Sequence, residues 1–115
     1  MNTEIKFRTL IQHLLNKTKS QALTWEEGSL HDSLVLFLKK ETVIIYSGLR
    51  EDDHEKLKPY YELKIMNDHG DVVGNYRSMK DEGPYQIMKS LYEAARHSCF
   101  DIDSTLDNLI EEVAG

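Results

Sequence analysis

Residues 61–73 read Tyr61-Glu62-Leu63-Lys64-Ile65-Met66-Asn67-Asp68-His69-Gly70-Asp71-Val72-Val73. Tyr61, Leu63 and Ile65 alternate with Glu62 and Lys64, so a strand here has one apolar and one polar face. Asn67, Asp68 and Gly70 accept positive φ at little cost, and Val72-Val73 resumes the apolar pattern beyond them. The stretch predicts two antiparallel strands joined by a tight turn. Pro59 fits the opening of the first strand, where a missing N–H is tolerated. Gly74 marks a bulge or an edge in the second.

Upstream, Thr42-Val43-Ile44-Ile45-Tyr46 is a row of β-branched and aromatic residues stopped by Ser47-Gly48, which reads as a strand. The apolar run 34–38 is open to strand or buried helix. Its shortness, and the turn Lys39-Lys40-Glu41 after it, favour a strand that pairs with 42–46. Ala22-Leu23-Thr24-Trp25 suggests a short strand ended by Glu26-Glu27-Gly28. Residues 49–58 mix charges without strand periodicity and read as a solvated loop.

Both chain ends are helical in pattern. Over residues 4–17, Phe7, Leu10, Ile11, Leu14 and Leu15 recur at helical spacing. Pro84 opens a second helix that runs to about Phe100, with Met88, Leu91, Tyr92, Ala95 and Cys99 on one stripe. Asp101 to Ser104 breaks the run. Leu106, Leu109, Ile110 and Val113 then define a short last helix, with Ser104 and Asp107 spaced as a capping box. Short connections between strands imply antiparallel pairing, because a parallel return needs a crossover of about a dozen residues. The expected fold is α+β: one domain over residues 1–115, a single antiparallel sheet of four to five strands, N-terminal and C-terminal helices packed on one face. The other face stays wet and available to a partner.

Composition limits the function classes. With 115 residues, 40% apolar and 30% charged, the chain suits one soluble core. No apolar run approaches the length of a membrane span. Glu4, Lys6, Arg8 and His13 interrupt the first fifteen residues, so no secretory h-region is read there. A lone Cys99 on an apolar stripe points to a buried thiol in a reducing, cytoplasmic setting. A net charge of -6, with lysines and arginines scattered among acids, argues against nucleic acid.

No spacing reads as catalytic, and no metal or cofactor is expected. The histidines at 13, 31, 54, 69 and 97 offer neither an i, i+4 pair nor a Cys/His pair for zinc. A site built from His31, Asp32 and His54 would have to be assembled by folding. Glu51-Asp52-Asp53-His54-Glu55 has the residue types for a divalent cation or acid–base work, yet lacks the spaced ligands and central glycine of a calcium loop. A solvated charged loop is the simpler account. Trp25, Tyr46, Tyr60 and Tyr76 are the candidates for partner binding, since exposed aromatics on a sheet favour interfaces. Ordinary strand propensity accounts for them as well.

Three stretches carry a resemblance: the opening helix with Phe7, Leu10-Ile11 and Leu14-Leu15 leading to Trp25; residues 61–73; and Leu91-Tyr92-Glu93-Ala94-Ala95-Arg96 running on to Ile102 and Leu106. Together they resemble small bacterial and phage proteins with a leading helix, an antiparallel meander and a Leu-Tyr-x-x-Ala-Arg helix. The resemblance covers most of the chain and implies that fold and a bacterial or phage source. It carries no activity and no catalytic residue. The expected function is a non-enzymatic interaction or regulatory module, antitoxin-, immunity- or adaptor-like, that binds a protein or a second copy of itself. The alternative is a small metal- or ligand-binding protein, or a hydrolase, with its site at the acidic loop Glu51–Glu55.

Overall fold

The computed structural model describes residues 2–115, at 102 the backbone alone. Helix α1 (Thr3–Lys19) starts where the Asn2 side chain accepts the Ile5 N–H at 2.8 Å, and it ends on Lys17 and Lys19, the charge sign that its dipole favours. Its stripe buries Ile11, Leu14 and Leu15. The chain then turns through Gln21, at φ 65°, and brings Trp25 into the core with 1% of its surface exposed. The Trp25 indole N–H donates to Thr18 Oγ1 at 2.9 Å, and its backbone N–H donates to Ser98 Oγ at 3.1 Å. Residues 22–25 are thus a tether between two helices, not the expected strand. Strand β1 is only Glu26–Glu27.

Four longer strands follow: β2 (Ser33–Phe37), β3 (Thr42–Glu51), β4 (Leu57–Met66) and β5 (Val72–Met79). All five lie in chain order and pair antiparallel. With α2 (Tyr85–Phe100) and α3 (Ile102–Ala114), this is the α+β architecture that the alternation and the short connections imply. Helices α1 and α2 cover one face. Under them lie Leu34, Leu36, Val43, Ile45 and Leu63, met by Met88, Leu91, Tyr92 and Ala95 of α2. Gly74 sits on the edge strand beside a register slip, and Phe7 lies over it; a Cβ there would come to 3.1 Å from the ring. Phe7 also stacks on Tyr76, with ring centroids 5.2 Å apart.

The expected loop at 49–58 is a hairpin, because β3 and β4 run on to Glu51 and from Leu57. Its turn repeats the construction of the Asn67–Asp71 turn. The Asp52 side chain accepts the N–H groups of His54 and Lys56, as the Asn67 side chain accepts those of His69 and Asp71. The fourth residue of each turn has positive φ: 83° at Gly70, 58° at Glu55. The glycine makes one turn visible in the sequence. Glutamate in the same slot hides the other.

Asp101, in the left-handed region at φ 44°, is the single residue between α2 and α3. The capping box expected at Ser104 and Asp107 is not the start of α3, which begins two residues earlier with no side-chain cap. Nor does α3 help to cover the sheet. Every residue from Asp103 to Gly115 is exposed, and Leu106, Leu109, Ile110 and Val113 show 47%, 49%, 65% and 84% of their surface. The radius of gyration is 16.0 Å, against about 13 Å for a compact chain of this length. The uncovered helix and the long β3–β4 hairpin both extend the molecule.

A non-glycine residue in the left-handed region carries about 1 kcal/mol of strain that glycine does not. Glu55→Gly should therefore raise stability by up to about 1 kcal/mol in denaturant melts, after the entropy that glycine costs. Glu55→Ala should give no such gain.

Candidate functional site

Because side chains alternate across a strand, the residues between the core positions share the uncovered face. Three cross-strand rows define it: Ile44, Lys64 and Asn75; Tyr46, Glu62 and Arg77; Gly48, Tyr60 and Met79. Val35 and Phe37 of β2 extend it on one side, and Arg50 and Lys58 at the far end of the hairpin on another.

The centre of this open face is a carboxylate. Glu62 is 3% exposed although no helix lies over it. Arg77 Nε donates to its Oε1 at 2.8 Å, and the Tyr46 hydroxyl donates to its Oε2. The ring of Tyr60 lies across Gly48 so closely that a Cβ there would come within 2.8 Å of ring atoms. Tyr46 meets that ring edge-on at 6.3 Å, and the Arg77 guanidinium stands 5.7 Å from its centroid. Lys64 Nζ is 5.3 Å from the centroid of Tyr46. Burying a charge costs several kcal/mol unless it is paired and fully hydrogen-bonded, and here both oxygens are engaged. Burial, and then the bond to Glu62, hold the Tyr46 phenol well above its ordinary pKa. With both oxygens taken up, Glu62 is not free to act as a base. What the cluster offers is a set of rings and cations held in fixed positions.

The charge of this face differs from that of the chain. Arg50, Lys58, Lys64 and Arg77 point to it, in a protein of net charge -6; Arg77 is paired with Glu62 and Lys58 with Asp52 and Asp81, so among the described residues Arg50 and Lys64 are the cations of this face outside any ion pair. In the sequence these cations stand scattered among acids. Extending the two-residue period from 61–73 across the paired strands is the signal that gathers them.

The sequence candidates divide accordingly. Tyr46 and Tyr60 lie side by side on the open face. Tyr76 is on the helix-covered face, stacked on Phe7, and Trp25 is in the core. In the acidic loop, Asp52 is engaged by its own turn. The backbone N–H of Lys56 and that of His54, together with the Lys58 ammonium, hold its carboxyl below the usual carboxylate range. Lys58 Nζ lies 3.3 Å from Asp52 and 2.6 Å from Asp81. Asp53, His54 and Glu55 stay exposed on the outside of the turn. Beside it runs a hollow of about 640 Å³ whose lining includes Arg50, Asp52, Lys58, Arg77 and Asp81. Among the described residues no three His, Cys, Asp or Glu side chains are grouped to hold a metal, and His31, Asp32 and His54 form no such group. Burial raises the Cys99 thiol above its usual value, which disfavours the thiolate.

Compared with known proteins, the chain matches no family model, no curated protein and no solved structure.

Two phenols should report on the two faces. Tyr61, on the core side against Tyr85 and Tyr92, is pushed up to about 12, mainly by burial, and Tyr46 is raised as well. Raised folded values favour the protonated forms in the fold. Their stabilisation is therefore complete below the ordinary tyrosine value near 10 and is lost as pH climbs through the folded values. In an ultraviolet phenolate titration Tyr46 and Tyr61 should ionise well above the ordinary tyrosine value, together with loss of the circular dichroism signal.

Proposed function

We propose that the chain is a non-enzymatic protein-interaction module that docks through the open face of its sheet. The observation that carries this reading is the Glu62 cluster. A buried carboxylate fixes Tyr46 and Arg77, and the seat at Gly48 holds Tyr60 beside them, on a surface that the fold leaves uncovered. Tyrosine and arginine are the residues most enriched where binding energy concentrates, and side chains already held in place lose little entropy on docking. With both oxygens of Glu62 taken up, the face suits recognition better than turnover. A regulatory role of the antitoxin, immunity or adaptor kind fits a small chain built around one such surface.

A photo-crosslinking residue at Asn75, on the open face, should give discrete protein adducts in cells. The same residue at Gln12, on the outer side of α1, should give none. Gly48→Ala, which pushes the Tyr60 ring off its seat without removing it, should weaken the Asn75 adducts at least five-fold. Equal labelling from both positions would defeat the reading.

The second reading, a metal- or ligand-binding or hydrolytic site at residues 51–55, has the hollow beside the turn in its favour. The Lys58 ammonium weighs against a cation, since it already stands between Asp52 and Asp81. Magnesium, calcium or manganese should leave the melting temperature unchanged. A saturable rise would reverse the preference, because a ligand of the native state stabilises by mass action.

A further inference from the structure

We propose that the occupant of the open face is helix α3 of a second copy of this chain, exchanged reciprocally in a twofold dimer. The proposal rests on reading the open face as a docking surface and names what docks there.

Two surfaces of the molecule lack cover, and they complement each other. Helix α3 carries the exposed apolar stripe Leu106, Leu109, Ile110 and Val113. Its charges are Asp103, Asp107, Glu111 and Glu112, with no lysine or arginine among residues 102–115. The open face has apolar and aromatic residues, Ile44, Tyr46 and Tyr60 among them, and two cations outside the described ion pairs, Arg50 and Lys64. An acidic amphipathic helix and an apolar sheet face that carries two such cations fit each other in both respects. Size agrees as well. Thirteen helical residues extend about 20 Å, and the ten-residue strands β3 and β4 extend about 33 Å.

The copy that supplies the helix has to be another one. Helix α2 lies on the covered side of the sheet, and α3 leaves it after the single residue Asp101. That link has no slack to carry α3 round an edge to the opposite face of its own sheet. Pairing α3 with α3 would set four carboxylates against four, with no cation between them. Nucleic acid would meet the same two cations but would leave the apolar stripe of α3 in water. One docked helix of this length covers only about half of the ~800 Å² per partner of a stable interface, and reciprocal exchange doubles it.

Charge reversal at four surface positions tests the pairing. One variant carries Arg50→Glu with Lys64→Glu on the open face; the other carries Asp107→Lys with Glu111→Lys on α3. None of these side chains belongs to the core, and circular dichroism melts establish that both variants fold. In sedimentation velocity, the wild type should run at twice the 13.4 kDa of one chain. Each variant alone should dissociate at least ten-fold more readily. An equimolar mixture should regain the dimer, because wild-type α3 then meets a wild-type face and reversed α3 meets a reversed face. A monomeric wild type, an open-face variant that stays dimeric, or a mixture that fails to recover would each overturn the exchange. If the wild type is monomeric while Asn75 still crosslinks a different protein, the exchange fails and the docking face stands. A monomer that shifts single-stranded or duplex oligonucleotides through Arg50 and Lys64 overturns both in favour of nucleic acid.

Discussion

Strand β4 imposes the constraint on which the rest depends: each residue turned toward the helices obliges its neighbour to face away. Tyr61, Leu63 and Ile65 build the core side, with Leu63 wholly buried. Glu62, between them, must then lie in the middle of the uncovered face. Ladder partners on both sides supply what a carboxylate needs in that place, Tyr46 from β3 and Arg77 from β5. The core and the open face are thus two consequences of one pleat. Neither changes without the other.

Register is the second half of the same constraint. A slip by one residue would turn Leu63 to water and push Glu62 under the helices. The two hairpins that flank β4 prevent this with one device, an Asx side chain that gathers two backbone N–H groups of its own turn. Asp52 adds an ion pair to Lys58 at the start of β4, and Lys58 reaches Asp81 just past β5. The acidic stretch that has the residue types of a metal site is therefore part of what sets the register of the open face.

Where the physics is local, the sequence is readable. Residues 61–73 and the stripes of α1 and α2 place those two helices and the β4–β5 hairpin within a few residues. The hairpin at 52–56 was hidden because its left-handed slot holds Glu55, a residue without the conformational preference of glycine. Trp25 and Tyr76 look like surface aromatics in the sequence. Their burial depends on what packs over them, Thr18 and Ser98 at one and Phe7 at the other, and no local pattern carries that. The gathering of Arg50, Lys58, Lys64 and Arg77 on one face was unreadable from composition because net charge sums over the molecule, whereas the fold decides which charges share a side.

Helix α3 has little to sustain it from within. Thirteen residues are near the lower limit for a helix in water, and its first turn lacks a side-chain cap. Asp103 suits the positive end of the dipole, but Glu111 and Glu112 crowd the negative end, where no basic residue offsets them. Such a segment gains its helicity mainly from burying its apolar face. Within one chain that burial is missing, since none of the four stripe residues is covered. A cationic surface beneath α3 would remedy both deficits together, by removing the stripe from water and by offsetting the carboxylates at its C-terminal end. The face that β4 is obliged to expose offers apolar and aromatic residues with Arg50 and Lys64 among them.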